Sequence, residues 1–187
     1  PQRFTEKRDV SGLSPEEIRE IAKEAGLVGM GGAAFPCSVK LTPPKDKPID
    51  TVIINGCECE PFLTCDHRLM LERPEDLVAG LKLMMKAVGA RKGSIGIEAN
   101  KMDAADRMSA AVAGDPDIDV VLLEVKYPEG AEKMLIDAVT GRRVPPGKLP
   151  AEVGCLVQNV QTAVALYEAA ATGKPVIDRV VTVTGPG

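Results

Sequence analysis

Apolar positions recur along this chain with two periods, one typical of helices and one typical of strands. Ser14 is followed by a proline and two glutamates, a combination typical of a helix start, and the helix is predicted to run to about Ala25 and end at Gly26. Residues 74–88 have the spacing of an amphipathic helix. Residues 51–55 form a short β-branched run after a loop rich in Pro and Lys, which indicates a buried strand.

The alternation continues through the second half of the chain. Further strands are predicted at 94–98 and 120–126, and further helices at 103–113, 132–140 and 161–172. This order predicts an α/β domain with a mostly parallel sheet flanked by helices. Open sheets of this kind bind ligands outside the carboxyl ends of their strands, so a site is expected in the segments that follow the strands.

A glycine-rich loop follows the first predicted helix. Gly29, Gly31 and Gly32 occupy three of four successive positions, and residues without a Cβ allow backbone N–H groups to approach a phosphate or a flat ring. Lys40 follows at a distance where its ammonium could contact the same phosphate. The segment has neither the dinucleotide fingerprint nor the ending of a P-loop. Taken alone, it leaves a phosphate-binding loop and a tight structural turn as alternatives.

The composition narrows the class of protein. A chain of 187 residues with 44% hydrophobic and 27% charged positions can bury one sizeable core. With 3% aromatic residues, that core must consist of aliphatic side chains, as in parallel sheets covered by helices. A net charge of −4 gives no reason to expect nucleic acid as a partner. No apolar run approaches the roughly 20 residues that span a bilayer, so we expect membrane association only through a partner.

The cysteines indicate a reducing compartment. Their number, five, is odd and they are clustered, which argues against a secreted disulfide framework. Cys57, Cys59, Cys65 and His67 form a C-x-C-x5-C-x-H string, but zinc and iron–sulfur sites typically use C-x2-C pairs. We therefore interpret these cysteines as partly buried thiols and predict no metal site.

Polar residues follow the predicted strand at 51–55. Glu58 and Glu60 are two positions apart, so an extended backbone would place both carboxylates on one side, where each raises the pKa of the other. The alternative is a solvated acidic loop. Asn55 ends the strand and could reach a crevice, or its side chain could form an Asx-turn.

Five ordered segments carry a family resemblance. They are 27–40 (LVGMGGAAFPCSVK), 52–70 (VIINGCECEPFLTCDHRLM), 95–101 (IGIEANK), 127–133 (YPEGAEK) and 154–162 (GCLVQNVQT). In this order they resemble the RnfC family of the Rnf electron-transport complex and, more distantly, the FMN- and NADH-binding flavoprotein subunit of respiratory complex I. The resemblance extends over roughly residues 26–185.

The resemblance implies an FMN/NADH-binding α/β domain over residues 13–178. The implied cofactor-binding residues are Gly29, Gly31, Gly32, Ala33, Phe35, Lys40, Asn55, Glu58, Glu60, Tyr127, Gly130, Glu132, Asn159 and Thr162. The glycine loop and Lys40 would hold FMN, and the three glutamates would accept hydrogen bonds from NADH. Thr162 could equally be the N-cap of the helix that follows. No general acid or base is expected, because hydride would pass directly from NADH to the flavin.

The same resemblance implies a larger context. Electrons would pass from FMN to 4Fe–4S clusters, which are expected only in a C-terminal part outside this segment. The expected partners are NADH and other subunits of a membrane electron-transport complex, with a cytoplasmic location at the membrane periphery. Residues 1–12 are expected to be a flexible segment and 179–187 the start of a truncated β-grasp-like domain.

Two alternative functions stay open. Within the same superfamily, the chain would be a flavin-dependent cobalamin reductase or an electron donor to an amino-acid reductase. In another class, it would be a docking and assembly module without cofactor. Departures from the relatives' patterns motivate the second alternative: Met30 replaces a basic residue, Ala34 a glycine, Cys57 an acid and Ala131 a glutamate.

Overall fold

A parallel β-sheet forms the centre of the structure, a computed structural model that describes Phe4 and residues 6–185. The sheet has four strands in the order β3-β2-β1-β4. The strands are β1 (Thr51–Asn55), β2 (Lys92–Glu98), β3 (Ile118–Leu123) and β4 (Cys155–Asn159). All three pairings are parallel, which confirms the predicted α/β class.

Helices cover both faces of this sheet. Within the described residues they are α1 (Pro15–Glu24), α2 (Cys37–Lys40), α3 (Cys65–Glu72), α4 (Pro74–Val88), α5 (Met102–Ala111), α6 (Glu132–Thr140) and α7 (Val160–Thr172), with a 3₁₀ helix at Pro150–Val153. The predicted start of α1 is confirmed. Ser14 Oγ accepts from the backbone N–H of Glu17, and the Glu17 carboxylate accepts from the N–H of Ser14 at 2.7 Å, a reciprocal capping box.

The strand alternation divides the core between the two faces. Val52 and Ile54 of β1 belong to the large core that includes residues of α1, α4, α5 and α7. Ile53 points to the opposite face, where it packs with Leu135 and Ile136 of α6. Because both faces are covered, β1 is an almost continuous apolar run, as expected for a central strand of a parallel sheet. Among the residues described, no helix has both the length and the apolar character needed to cross a membrane.

Several element boundaries differ from the sequence prediction. The strand predicted at 120–126 is Ile118–Leu123, because the chain leaves the sheet before the polar residues that precede Tyr127. Four elements were not predicted: α2, α3, β4 and the 3₁₀ helix. In β4, polar Gln158 and Asn159 interrupt the apolar run, so its pattern does not single out a strand.

The two ends of the described chain contact the domain. Within the segment predicted to be flexible, the backbone N–H of Arg8 donates to Ala171 O at 2.8 Å; residues 1–3 and 5 lie outside the described residues. Residues 179–185 contain no strand. Arg179 instead donates to Met30 O at 2.5 Å, and Thr182 Oγ1 accepts from the backbone N–H of Thr64. The β-grasp-like domain stays a prediction, and residues 186–187 lie outside the described range.

Gly80 permits the close contact between α4 and α7. A Cβ at this position would lie 2.0 Å from the carbonyl oxygen of Ala163. Backbone atoms cannot move aside as a flexible side chain does, so the two helices would have to separate.

We therefore expect Gly80→Ala to lower the free energy of unfolding by about 3 kcal/mol, as overpacked cores do. Denaturant unfolding measures this effect. Gly12→Ala is the matched control, since an added Cβ there meets no atom within 4 Å. Equal unfolding midpoints for the Gly80 variant and the parent protein would contradict the packing argument.

Candidate functional site

A cavity of about 760 Å³, called here the larger cavity, opens beside β4, the edge strand of the sheet. Nine of the sequence-predicted residues line it: Gly29, Gly31, Ala33, Phe35, Lys40, Asn55, Gly130, Glu132 and Asn159. The rest of the lining is mainly apolar and includes Val39, Ile49, Leu149 and Leu156. A volume in this range suits a small-molecule cofactor.

The glycine loop forms one wall of the larger cavity. Gly29 N donates to Phe35 O at 2.8 Å, which closes the loop on itself. Gly32 has φ +119°, a conformation that favours glycine. Thr162 is fully buried, and its Oγ1 accepts from the N–H of Met30 at 2.9 Å. Thr162 therefore supports the loop from behind instead of lining the cavity.

Ala34 has a strained backbone in the same loop. Its φ is +51°, in the left-handed region where a Cβ costs about 1–2 kcal/mol. The family resemblance implies a glycine at this position. Ala34 has a backbone conformation that favours glycine, and it is one of the residues that line the larger cavity.

Lys40 and Glu132 form an ion pair in the wall of the larger cavity. Their Nζ and Oε1 atoms are 3.0 Å apart, and both side chains are partly buried. Lys40 ends α2 and Glu132 begins α6, so the pair connects the short helix before β1 with the helix that follows β3. The family resemblance assigned Lys40 to FMN and Glu132 to NADH, but the structure brings them together.

Asn55 holds the loop that contains Gly130. Its Oδ1 accepts from the N–H of Cys57 at 3.0 Å, the Asx-turn that the sequence left as an alternative, and its Nδ2 donates to Gly130 O at 2.8 Å. The N–H of Gly130 contacts Cys59 Sγ at 3.2 Å. A Cβ on Gly130 would lie 2.8 Å from that sulfur, so glycine is required by the close approach.

Asn159 connects the larger cavity to α3. It is the N-cap of α7, with its Oδ1 accepting from the N–H of Gln161 at 2.9 Å; the N-cap role suggested for Thr162 is therefore wrong. The Nδ2 of Asn159 donates to Oδ2 of Asp66 at 2.6 Å. Asp66 was not predicted as a site residue, because nothing local connects it with a residue 93 positions away.

Asp66 is an ionisable group in an unusual environment. It is 5% exposed, and its Oδ1 has no hydrogen-bond partner. Burial raises the pKa of Asp66 to about 6, and the neighbouring carboxylate of Glu58 adds to the rise. The side chains of Asn159 and Gln161 and the charge of Arg179 act on this pKa in the opposite direction.

Glu58 and Glu60 do not form the expected pair on one face. Glu58 is buried, and its two oxygens accept from the backbone N–H groups of Asp66 and His67 at 2.8 and 3.2 Å. It therefore caps the start of α3, where a negative charge also favours the helix dipole. Glu60 is exposed. The expected pairing does not form because the Glu58 carboxylate is drawn inward to the backbone N–H groups of α3, whereas Glu60 stays at the surface.

A smaller cavity of about 490 Å³ lies on the other side of the Gly130 loop. Its lining includes three further predicted residues, Glu58, Glu60 and Tyr127. Tyr127 is 84% exposed and Phe62 79% exposed at this cavity. The three glutamates predicted to bind NADH are thus divided, with Glu132 at the larger cavity and Glu58 and Glu60 at the smaller one.

The structure does not bring Cys57, Cys59, Cys65 and His67 together into one group of possible metal ligands. His67 contacts Asp103 at 2.8 Å, and burial raises the pKa of the Cys57 thiol to about 12. Among the residues described, Glu58, Cys65 and Asp66 are the group of three His, Cys, Asp or Glu side chains whose ligand atoms all lie within 4.8 Å of one another. The Glu58 oxygens in this group are already occupied as the cap of α3.

The fold is that of the complex I flavoprotein class. The sequence model of the Nuo51 FMN-binding domain matches residues 22–168. The chain belongs to this family, and within it to the RnfC family of ion-translocating oxidoreductase complexes.

Two relatives illustrate the similarity. The chain is 51% identical to the RnfC-type component of a proton-translocating ferredoxin:NAD⁺ oxidoreductase complex of Clostridium ljungdahlii, over 95% of its own length. It is 50% identical, over 92% of its length, to the corresponding component of the Na⁺-translocating complex of Acetobacterium woodii. The chain spans 39% of the length of each relative.

A solved structure supports the same fold. The crystal structure of an NAD⁺-reducing [NiFe]-hydrogenase in the H₂-reduced state superposes with a TM-score of 0.69 and 27% sequence identity. The match covers 87% of this chain and 32% of the hydrogenase chain. The fold-class prediction is therefore confirmed at the level of a particular fold family.

The raised pKa of Asp66 predicts a pH-dependent stability. In the folded protein the pKa of Asp66 is about 6, above its ordinary value of 3.8, so the folded state binds the proton more tightly than the unfolded state does. The stability that this protonation contributes is lost as the pH rises from about 4 to about 6. An asparagine mimics the protonated carboxyl. We expect Asp66→Asn to raise the free energy of unfolding at pH 7.5 by on the order of 2–3 kcal/mol, with no gain below about pH 4.

Denaturant unfolding at the two pH values measures this difference. Asp119→Asn, at an exposed position of β3, controls for the neutralisation of an aspartate in general. A loss of stability at pH 7.5 in the Asp66 variant would contradict the assignment of a buried, destabilising charge.

Proposed function

We propose that the larger cavity binds FMN. The observation that carries this proposal is the convergence of the glycine loop, Lys40 and the N-terminus of α7 on a single cavity with apolar walls. A phosphate needs N–H donors and a positive charge, which the loop, the helix start and the lysine supply. A flavin ring needs apolar surface, which Phe35 and Leu149 supply at half or greater exposure.

The space at Gly31 fits this proposal. A Cβ on Gly31 would lie 3.4 Å from Cβ of Asn159, so a side chain here would fill the gap between the glycine loop and the start of α7. The glycine keeps this gap open. The Lys40–Glu132 ion pair fits as well, because it balances the charge of the lysine until an anion competes with the carboxylate.

We further propose that the domain oxidises NADH. Bound FMN would supply hydride acceptance and single-electron transfer, and the protein would supply binding and orientation. Support comes from the names of the relatives and of the hydrogenase, which include NAD⁺ as a reactant. Exposed Tyr127 and Glu60 at the smaller cavity are the residues proposed to contact the nucleotide.

The later electron-transfer steps are proposed from the relatives, of whose length this chain spans 39%. Electrons would continue to 4Fe–4S clusters in a part outside this segment, and other subunits of a membrane complex would be the partners. The names of the relatives support these partners, since each is a subunit of an ion-translocating complex.

One observation favours the docking-module alternative. The wall of the larger cavity contains the strained Ala34, and its lysine, Lys40, is already paired with Glu132. A titration of FMN into the purified protein, followed by anaerobic addition of NADH, separates the two functions. Saturable binding followed by bleaching of the flavin absorbance supports the flavoprotein, and absence of FMN binding supports the docking module.

Lys40→Ala is expected to weaken FMN binding about tenfold or more, because a partly desolvated lysine–phosphate contact contributes about 1.5–3 kcal/mol. Fluorescence quenching of FMN during titration measures the dissociation constant. Lys23→Ala, at an exposed position of α1 with a carboxylate partner of its own, is the matched control. Equal affinities of the Lys40 variant and the parent would remove Lys40 from the site.

Glu60→Gln is expected to leave FMN affinity unchanged and to raise the NADH concentration for half-maximal flavin reduction about tenfold. A carboxylate accepts a hydrogen bond from a ribose hydroxyl more strongly than an amide does. Stopped-flow absorbance measures the rate, with Glu20→Gln on α1 as the control. Weaker FMN binding with an unaltered NADH dependence would instead place Glu60 at the flavin.

A further inference from the structure

Asp66 has one buried oxygen bonded to Asn159 and another without a partner. It lies in the first turn of α3, behind the wall of the larger cavity. Buried carboxylate oxygens are costly to leave unpaired. The position of such a group directly behind a cavity-lining residue calls for an explanation beyond packing.

The hydrogen bonds of Asn159 determine which way its amide points. Its oxygen faces the N–H of Gln161 in α7, and its nitrogen faces Asp66. An ionised carboxylate can only accept, so the nitrogen of Asn159 must be the atom that faces it. Asp66 and α7 therefore select one of the two amide orientations.

The orientation of Asn159 affects the glycine loop. The Asn159 side chain lies against Gly31, at 3.4 Å from where a Cβ of that residue would stand. With its amide held at both ends, Asn159 still has one N–H hydrogen and one oxygen lone pair available to the cavity. A rotation of the side chain would change both the shape of the gap and the direction of these groups.

We propose that Asp66 is a positioning residue of the cofactor cavity, which acts by fixing the amide of Asn159 against the glycine loop. This inference rests on the proposed FMN site for its effect on affinity. The hydrogen bond between Asp66 and Asn159 is a property of the protein without cofactor. This hydrogen bond and its effect on FMN affinity can therefore be tested separately.

The charged and polar groups that face Asp66 come from four segments. Glu58 follows β1, Cys65 precedes it in α3, Asn159 and Gln161 lie at the start of α7, and Arg179 lies in the C-terminal segment. Since the Asp66 carboxyl is expected to change protonation near pH 6, the side-chain amide of Asn159 should report that titration.

The first measurement is NMR of the side-chain amide of Asn159 in the protein without FMN, assigned by its loss in Asn159→Ala. We expect its chemical shift to differ from that of a free side-chain amide and to change with pH, with a midpoint near pH 6. Asp66→Ala should move it toward the position of a free amide, and Asp66→Asn should remove the midpoint. Asp103→Ala, which removes an acid that contacts α3 through His67, should leave it unchanged. An Asn159 signal insensitive to both Asp66 variants would overturn the proposal.

The second measurement is FMN affinity at pH 7.5. Asp66→Ala should weaken binding about tenfold, whereas Asp66→Asn, which keeps an acceptor for Asn159, should stay within about threefold of the parent. In an Asn159→Ala background, Asp66→Ala should have no further effect, because its action passes through that amide. Equal losses in both backgrounds, or an asparagine variant as weak as the alanine variant, would overturn it.

The two measurements test different statements, so a negative result in one leaves the other informative. If the parent protein binds no FMN, the proposed function fails, and the NMR result still decides whether Asp66 holds Asn159. If Asp66→Ala does not fold, the pH titration of Asp66→Asn decides the question, since a persisting midpoint near pH 6 in that variant excludes Asp66 as the group that Asn159 senses.

Discussion

The in-register parallel pairing of β1 with β4 is the constraint on which the rest of the site depends. It makes Asn55 and Asn159 direct partners at the carboxyl edge of the sheet. Each amide then holds a different segment: Asn55 holds the Gly130 loop, and Asn159 holds the start of α7 and contacts the glycine loop. A shift of β4 by one residue along β1 would turn the Asn159 side chain to the opposite face of the sheet, away from the walls of the larger cavity.

Local signals in the sequence predicted much of the framework. The capping box at Ser14, the β-branched run of β1 and the amphipathic spacing of α4 each lie within one short segment, so their patterns identify the elements correctly. The missed elements depend on distant partners. The first turn of α3 is capped by Glu58 from the preceding loop, and β4 forms because β1 offers it a free edge. No local pattern contains these contacts.

In the candidate site, too, local motifs predicted some residues, and contacts between distant segments determined the others. Gly29, Gly31, Lys40 and Asn159 were predicted from their motifs, and the structure places them around one cavity. The separation of Glu132 from Glu60 and the burial of Thr162 and Asp66 could not be predicted, because they follow from how loops from different strands meet. The deviations from local rules, such as the left-handed Ala34 and the unpaired Asp66 oxygen, concentrate around the cavity, as is common where function competes with stability.

Gly130 and Cys59 stand between the two cavities. The N–H of Gly130 faces Cys59, which lines the smaller cavity, and its carbonyl oxygen accepts from Asn55, which lines the larger one. These two groups belong to the successive peptide planes that meet at the Gly130 Cα. A rotation about its backbone bonds would tilt one plane relative to the other. A molecule that displaced either plane would therefore alter the shape of both compartments, with the sheet unmoved.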